Sequence, residues 1–376
     1  MALLYSFGDT LVTEAEVAEK MHLGDFGAFM RSSEFNDDAK IEFRDGTVRL
    51  PELFDNKGVG LPSFTPIGIG QPLSVEILCV YTGDAPQSFF GGRKDLLVVS
   101  GVKAAQTHGE APRAINQMEE KIADGQYLQP GAFTKGSPIV YYTSAVDISS
   151  TFCSFEMIAD SFKPETFDMV SRLFGTSSSL PVFAPQGAFL MAGALLVQMA
   201  GDLGHALLES APFLEGTVPF LFDTPNVPIT RAKQVVVCNR RDEHKLVGHC
   251  PALVGDGGGN KRPALVDKVT RREYRGDAPY ILVNIDGRAR PELEDFSPRL
   301  ASAALLEKFY GPQREEQVVE VLDQAMRLYN DYTYHLKAVD LQQRMEGLEP
   351  HTEAYQKQAK LLEAYLKNIQ LDLFRV

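Results

Sequence analysis

The chain has 376 residues, 44% of them hydrophobic and 23% charged, which is enough apolar material for a sizeable core and excludes disorder over most of its length. Its formal charge of −13 excludes a dominant nucleic-acid role, because neutralising phosphates takes clustered Lys and Arg. Four cysteines are too few for a disulfide scaffold, so a reducing cytoplasm is the expected location.

The N-terminal stretch MALLYSFGDTLVTEAE has neither the positive n-region nor the long apolar core of a signal peptide. Residues 14–21 are expected to form one short helix. IEFRDGTVRL (41–50) has alternating apolar positions around Asp45-Gly46, a dipeptide suited to a type I′ hairpin turn. Gly and Pro are dense over 58–72, as in an extended connector.

From residue 73 the pattern turns to strands. LSVEILCVY (73–81), KDLLVVSGV (94–102), SPIVYYTSAV (137–146) and STFCSFEMIA (150–159) are strand-length apolar runs. One short helix is expected near 114–123, but no regular crossover helices intervene. That order favours antiparallel pairing over a doubly wound sheet.

Helical periodicity takes over at 164–174, opened by Pro164 at a first-turn position. Residues 185–210 form the most apolar helical stretch, ended by Pro212. Strand signals return at QVVVCNR (234–240), KLVGHC (245–250) and APYILVNID (278–286), with GDGGGNKRP (255–263) as a loop. RLASAALLEKFY (299–310) reads as a helix stopped by Gly311-Pro312. The expected fold is α+β: an antiparallel β-sandwich body over 1–311, a helical insertion at about 164–212, and an antiparallel helical hairpin over 312–376.

The tail carries the most regular pattern. Pro312 and Glu315-Glu316 suit a helix start, where proline needs no N–H and carboxylates meet the positive dipole end. Val318, Leu322, Ala325, Tyr329, Tyr332, Leu336 and Val339 then follow at alternating spacings of four and three, a single heptad-like seam. Gly347 and Pro350 break the helix, and Thr352 is placed to cap a second one. Tyr355, Ala359, Leu362, Leu366, Ile369 and Leu373 form its seam, with Lys357, Lys360 and Lys367 off it. Two tyrosines in the first seam fit an irregular surface better than a tight zipper. The hairpin is expected to pack on its own body, on a second copy or on a protein partner.

The apolar stretch 187–210 has an uncharged run shorter than the roughly 20 residues that span hydrocarbon. Gln198, Asp202, His205 and Glu209 make a narrow polar stripe on it, amid small residues that permit close helix approach. A buried helix is the simpler expectation. Membrane insertion is disfavoured by the absence of tryptophan and of basic flanks.

Motifs for chemistry are weak. Cys238, His244, His249 and Cys250 lie close in sequence, but adjacent His249 and Cys250 point opposite ways on a strand. Cys238 with His108 is the one nucleophile–base pairing worth naming. Asp84, Asp147, Asp286 and Asp295 would have to meet at one end of the body to hold Ca²⁺. GDGGGNK lacks the Walker spacing. The basic concentration at 261–275 is interrupted by Asp267 and Glu273 and reads as a solvated face.

The function these features favour is non-enzymatic assembly or partner binding through the hairpin, with no cofactor and no metal. A triggered membrane-engaging effector using 187–210 ranks second and a cysteine hydrolase third.

Overall fold

The structure is a computed structural model that describes residues 1–7, 10–22, 48–49, 67–87, 92–104, 113–130, 136–176, 182–184, 211–222, 234–255, 261–293 and 315–375. The fold is mixed α+β, dominated by antiparallel sheets and carrying a few helices. The elements are β1 (Ala2–Phe7), β2 (Thr10–Thr13), α1 (Glu14–His22), β3 (Val48–Arg49), β4 (Leu73–Tyr81) and β5 (Asp95–Ala104). Next come β6 (Arg113–Glu119), β7 (Tyr127–Leu128), β8 (Ile139–Thr143), β9 (Ser150–Asp160), α2 (Pro164–Thr176), β10 (Val182–Ala184) and β11 (Leu214–Leu221). β12 (Gln234–Cys238), α3 (Glu243–Leu246), β13 (His249–Gly255), β14 (Lys261–Asp267), β15 (Tyr280–Asp286), α4 (Glu315–Met345) and α5 (Glu353–Lys367) complete the order.

Three sheets result. The largest has seven strands in the order β2-β1-β12-β15-β4-β7, with β8 also on β4; the second runs β10-β6-β5-β9-β11, and the third β14-β13-β3. β15 lines one edge of β4, and β7 and β8 share the other, β7 at Val80–Tyr81 and β8 at Leu73–Glu76.

Burial explains the sequence patterns. β12 and β15 are buried at every position, whereas β9 and β11 alternate. One cluster joins Leu3, Val75, Ile77, Val235, Val237 and Val283 of the seven-stranded sheet to Val98, Phe155, Met157 and Val218 of the five-stranded one. A second cluster covers the other face, where Leu4, Cys79, Tyr81, Val236 and Tyr280 meet Leu246, Leu253, Leu265 and Tyr274. A strand buried on both faces has no polar side, so QVVVC and YILVNID read as unbroken apolar runs.

Two local expectations are corrected. The helix expected at 114–123 is instead β6, hydrogen-bonded to β5 and β10. A register shift opposite Val98 and Val99 leaves Asn116 as the extra residue, and its buried amide donates to the carbonyls of Ser137 and Ile139. Ladder pairing on both edges outweighs the helix-forming residues of QMEEKIA. KLVGHC is likewise not one strand: Glu243–Leu246 is a helical turn, and β13 begins only at His249 after Gly248 at φ +94°.

α1 and α2 form where they are expected. Of the hairpin expected at 41–50, Val48 and Arg49 pair with Leu253 and Ala252 of β13, and the rest lies outside the described residues. So do 185–210 and 299–310.

Candidate interaction surface

α4 and α5 pack on one another. α4 has 31 residues and α5 has 15, so at about 1.5 Å per residue the first runs roughly twice as far as the second. Thr352 caps α5 as its position implies: it is extended, and its hydroxyl accepts from the Tyr355 N–H at 3.2 Å.

The face of α4 turned inward carries Asp331, Ala338, Leu341 and Met345, all buried. From α5 and its exit come Ala364, Asn368 and Ile369. The inward face lies about one residue away from the predicted seam: Tyr332 and Leu336 face water, each 49% exposed, and Val339 is half-buried. In the second seam Tyr355, Leu362 and Leu366 are half-buried, Ile369 is buried and Leu373 is exposed. The side chains of Val318, Leu322, Ala325 and Tyr329 lie outside the described residues.

Asp331 explains how the chain folds back after α5. Its buried carboxylate accepts the N–H groups of Gln370 at 3.1 Å and Leu371 at 2.7 Å. Phe374 then lies beside α4, its ring 6.1 Å from that of Tyr332, and its carbonyl 2.9 Å from His335 Nδ1.

The pair of helices sits on the rim of the β body where residues 67–71 meet 144–147. There Gly70 N–H donates to Val146 O, and Val146 N–H to Gln71 O. Asn368 Nδ2 donates to Ala145 O at 2.7 Å, and the Thr143 hydroxyl to Asn368 Oδ1 at 2.9 Å. Lys337 Nζ reaches Asp147 at 3.2 Å and lies 4.8 Å above the Tyr334 ring. Burial first, and then the Asp147 carboxylate, push the Tyr334 phenol well above its usual range.

What remains uncovered is apolar. Leu328 at 50%, with Tyr332 and Leu336, makes an exposed strip at four-residue spacing along α4. Leu371 and Leu373 of the folded-back end are exposed as well. Sequence reasoning included Tyr332 and Leu336 but missed Leu328 and Leu371. The four-residue spacing from Leu328 to Leu336 is a signal that could have found the strip.

The other candidate residues do not converge. Cys238 is buried, its thiol donates weakly to Ala2 O at 3.8 Å, and burial pushes its pKa up to about 12, the opposite of an activated thiolate. His108 lies outside the described residues, as do Gln198, Asp202, His205 and Glu209. His244 is exposed, His249 is half-buried against Leu246 O, and Cys250 is buried. No group of three or more metal-ligating side chains forms among the described residues. Asp286 pairs with Arg288 at 2.6 Å and sits opposite Ser74 at the start of β4, whereas Asp84 lies past the end of β4. Asp295 is outside the described residues. Among those residues, no helix is long and apolar enough to cross a membrane.

No protein-family model matches the chain, and comparison with characterised protein sequences returns no match either.

Proposed function

We propose that this is a non-enzymatic assembly protein, a β-sandwich body carrying an antiparallel C-terminal helical hairpin, and that two copies associate through α4. The observation that carries this reading is the exposed strip Leu328, Tyr332 and Leu336 on a helix far longer than its neighbour α5. Apolar residues at this spacing are what a second helix buries.

A second copy is favoured as the occupant by the charge distribution along α4. Residues 315–329 hold four Asp or Glu and one Arg, whereas 330–345 are balanced. Antiparallel pairing of two α4 helices sets each acidic half against a neutral one. Parallel pairing would oppose the two acidic halves. Four free cysteines, all buried, fit a reducing cytoplasm.

Light scattering of the whole chain tests this. Wild type is expected at twice the chain mass, and Tyr332→Asp with Leu336→Asp at the chain mass, with the circular dichroism spectrum unchanged. A wild-type monomer at tens of micromolar, or a dimer indifferent to both substitutions, overturns it.

A further inference from the structure

The three-stranded sheet ends in two neighbouring turns. β13 and β14 close on the pair His249 and Asp267, so the turn entering β13 and the turn leaving β14 lie at the same end. Lys268 N–H donates to Gly248 O at 3.1 Å and ties them together.

Both turns are built rather than loose. Val247 has φ −58° and ψ 136°, and Gly248 follows at φ +94°, the torsions of a type II turn. In the second turn Asp267 Oδ1 accepts the N–H groups of Val269 at 2.9 Å and Thr270 at 2.6 Å. Arg271 N–H donates to Asp267 O, Asp267 N–H donates to Arg272 O, and Arg271 adopts φ +60°.

This scaffold holds two valines out in water. Val269 is 89% exposed, the highest value among the large hydrophobic residues described, and Val247 is 40% exposed. An aliphatic side chain fixed at the apex of a hydrogen-bonded turn gains nothing for the fold by being there.

The chain around them is rich in cations. Residues 240–275 carry nine Lys or Arg against five Asp or Glu, within a chain whose total is −13. Arg241, Lys268, Arg271 and Arg272 flank the two valines in sequence. The acids are largely engaged: Asp242 with Lys245 and Arg241, Glu273 with Arg262 and Arg275, and Asp267 with the turn backbone. Glu243 stands at the margin.

We propose that the paired turns around Val247 and Val269 dock on an anionic phospholipid surface, the valines entering the headgroup–acyl boundary and the cations meeting lipid phosphates. Charge complementarity selects the anionic ligand. The exposed valines select lipid over nucleic acid, which offers them no apolar phase. The contact is peripheral and reversible, and it weakens with salt because Arg241 and Arg272 are exposed, whereas Lys268 and Arg271 are half-buried.

Co-sedimentation of the full chain with phosphatidylcholine vesicles, alone or mixed about three to one with phosphatidylserine, tests this. Binding is expected to the mixed vesicles only, and to fall several-fold with added salt. Val269→Ser, which leaves charge and turn geometry alone, and Arg272→Glu are each expected to weaken it about tenfold or more. No binding to the mixed vesicles overturns the proposal, as does binding that neither substitution changes. An anionic oligonucleotide bound as tightly, and lost with Arg272→Glu but not with Val269→Ser, overturns the lipid assignment too.

Discussion

The Thr143 hydroxyl donates to Asn368 Oδ1 at 2.9 Å across 225 residues of chain, and Asn368 Nδ2 in turn donates to Ala145 O at 2.7 Å. One buried amide therefore joins the end of α5 to the end of β8. Its position matters because an amide can donate and accept at once, as the rim of the β body requires.

Asn368→Ala should cost about 1–3 kcal/mol, since it removes one buried partner from the Thr143 hydroxyl and one from the Ala145 carbonyl, which then have each other at 3.0 Å. Urea denaturation of the variant, of Thr143→Val and of the double variant measures the coupling. Strictly additive losses would show that the two residues do not cooperate.

Asp331→Ala should remove the acceptor for Gln370 and Leu371 and cost about 1–3 kcal/mol. Hydrogen exchange gives the more specific readout. Those two amides should lose protection while the α5 amides keep theirs. Equal loss throughout α5 would mean that the tail and the helix unfold as one unit.

Charge on His249 provides a pH test. Burial lowers its pKa below the usual 6.5. The unfolded chain therefore takes up a proton at a pH where the folded protein does not. Stability from this group is whole above about pH 6.5 and declines as pH falls through that value toward the lowered one, by at most about 1.4 kcal/mol per pH unit. His249→Gln should flatten the decline. An unchanged slope would assign it to other groups.

The thiols allow a test of the hydrolase reading. All four cysteines are buried, and burial raises the pKa of Cys238 to about 12. A thiol-specific reagent should leave the native chain nearly untouched and titrate four thiols after unfolding. One fast-reacting thiol in the native state, absent from Cys238→Ala, would make that residue a nucleophile candidate again.

Much of the fold is legible in the residues alone. β4, β5, β9, β12 and β15 coincide with apolar runs of strand length, and α1, α2 and α5 with their local signals. β6 is not legible, because QMEEKIA favours a helix until β5 and β10 offer their edges. β13 and β14 are masked by glycine and charge, and they are held by a core that forms only when the seven-stranded sheet is present.

By itself the sequence determined the two C-terminal helices: the Thr352 cap, the break at Gly347 and Pro350, and the four-and-three spacing are all local. The tertiary structure alone decided which stripe of α4 turns inward. The stripe through Tyr332 and Leu336 and the one through Asp331, Ala338, Leu341 and Met345 have nearly the same spacing, so periodicity cannot choose between them. The choice falls to contacts made across the chain: the carboxylate of Asp331 with the returning end, and Lys337 with Asp147. Long-range partners fix the rotation of a helix that local rules can only place.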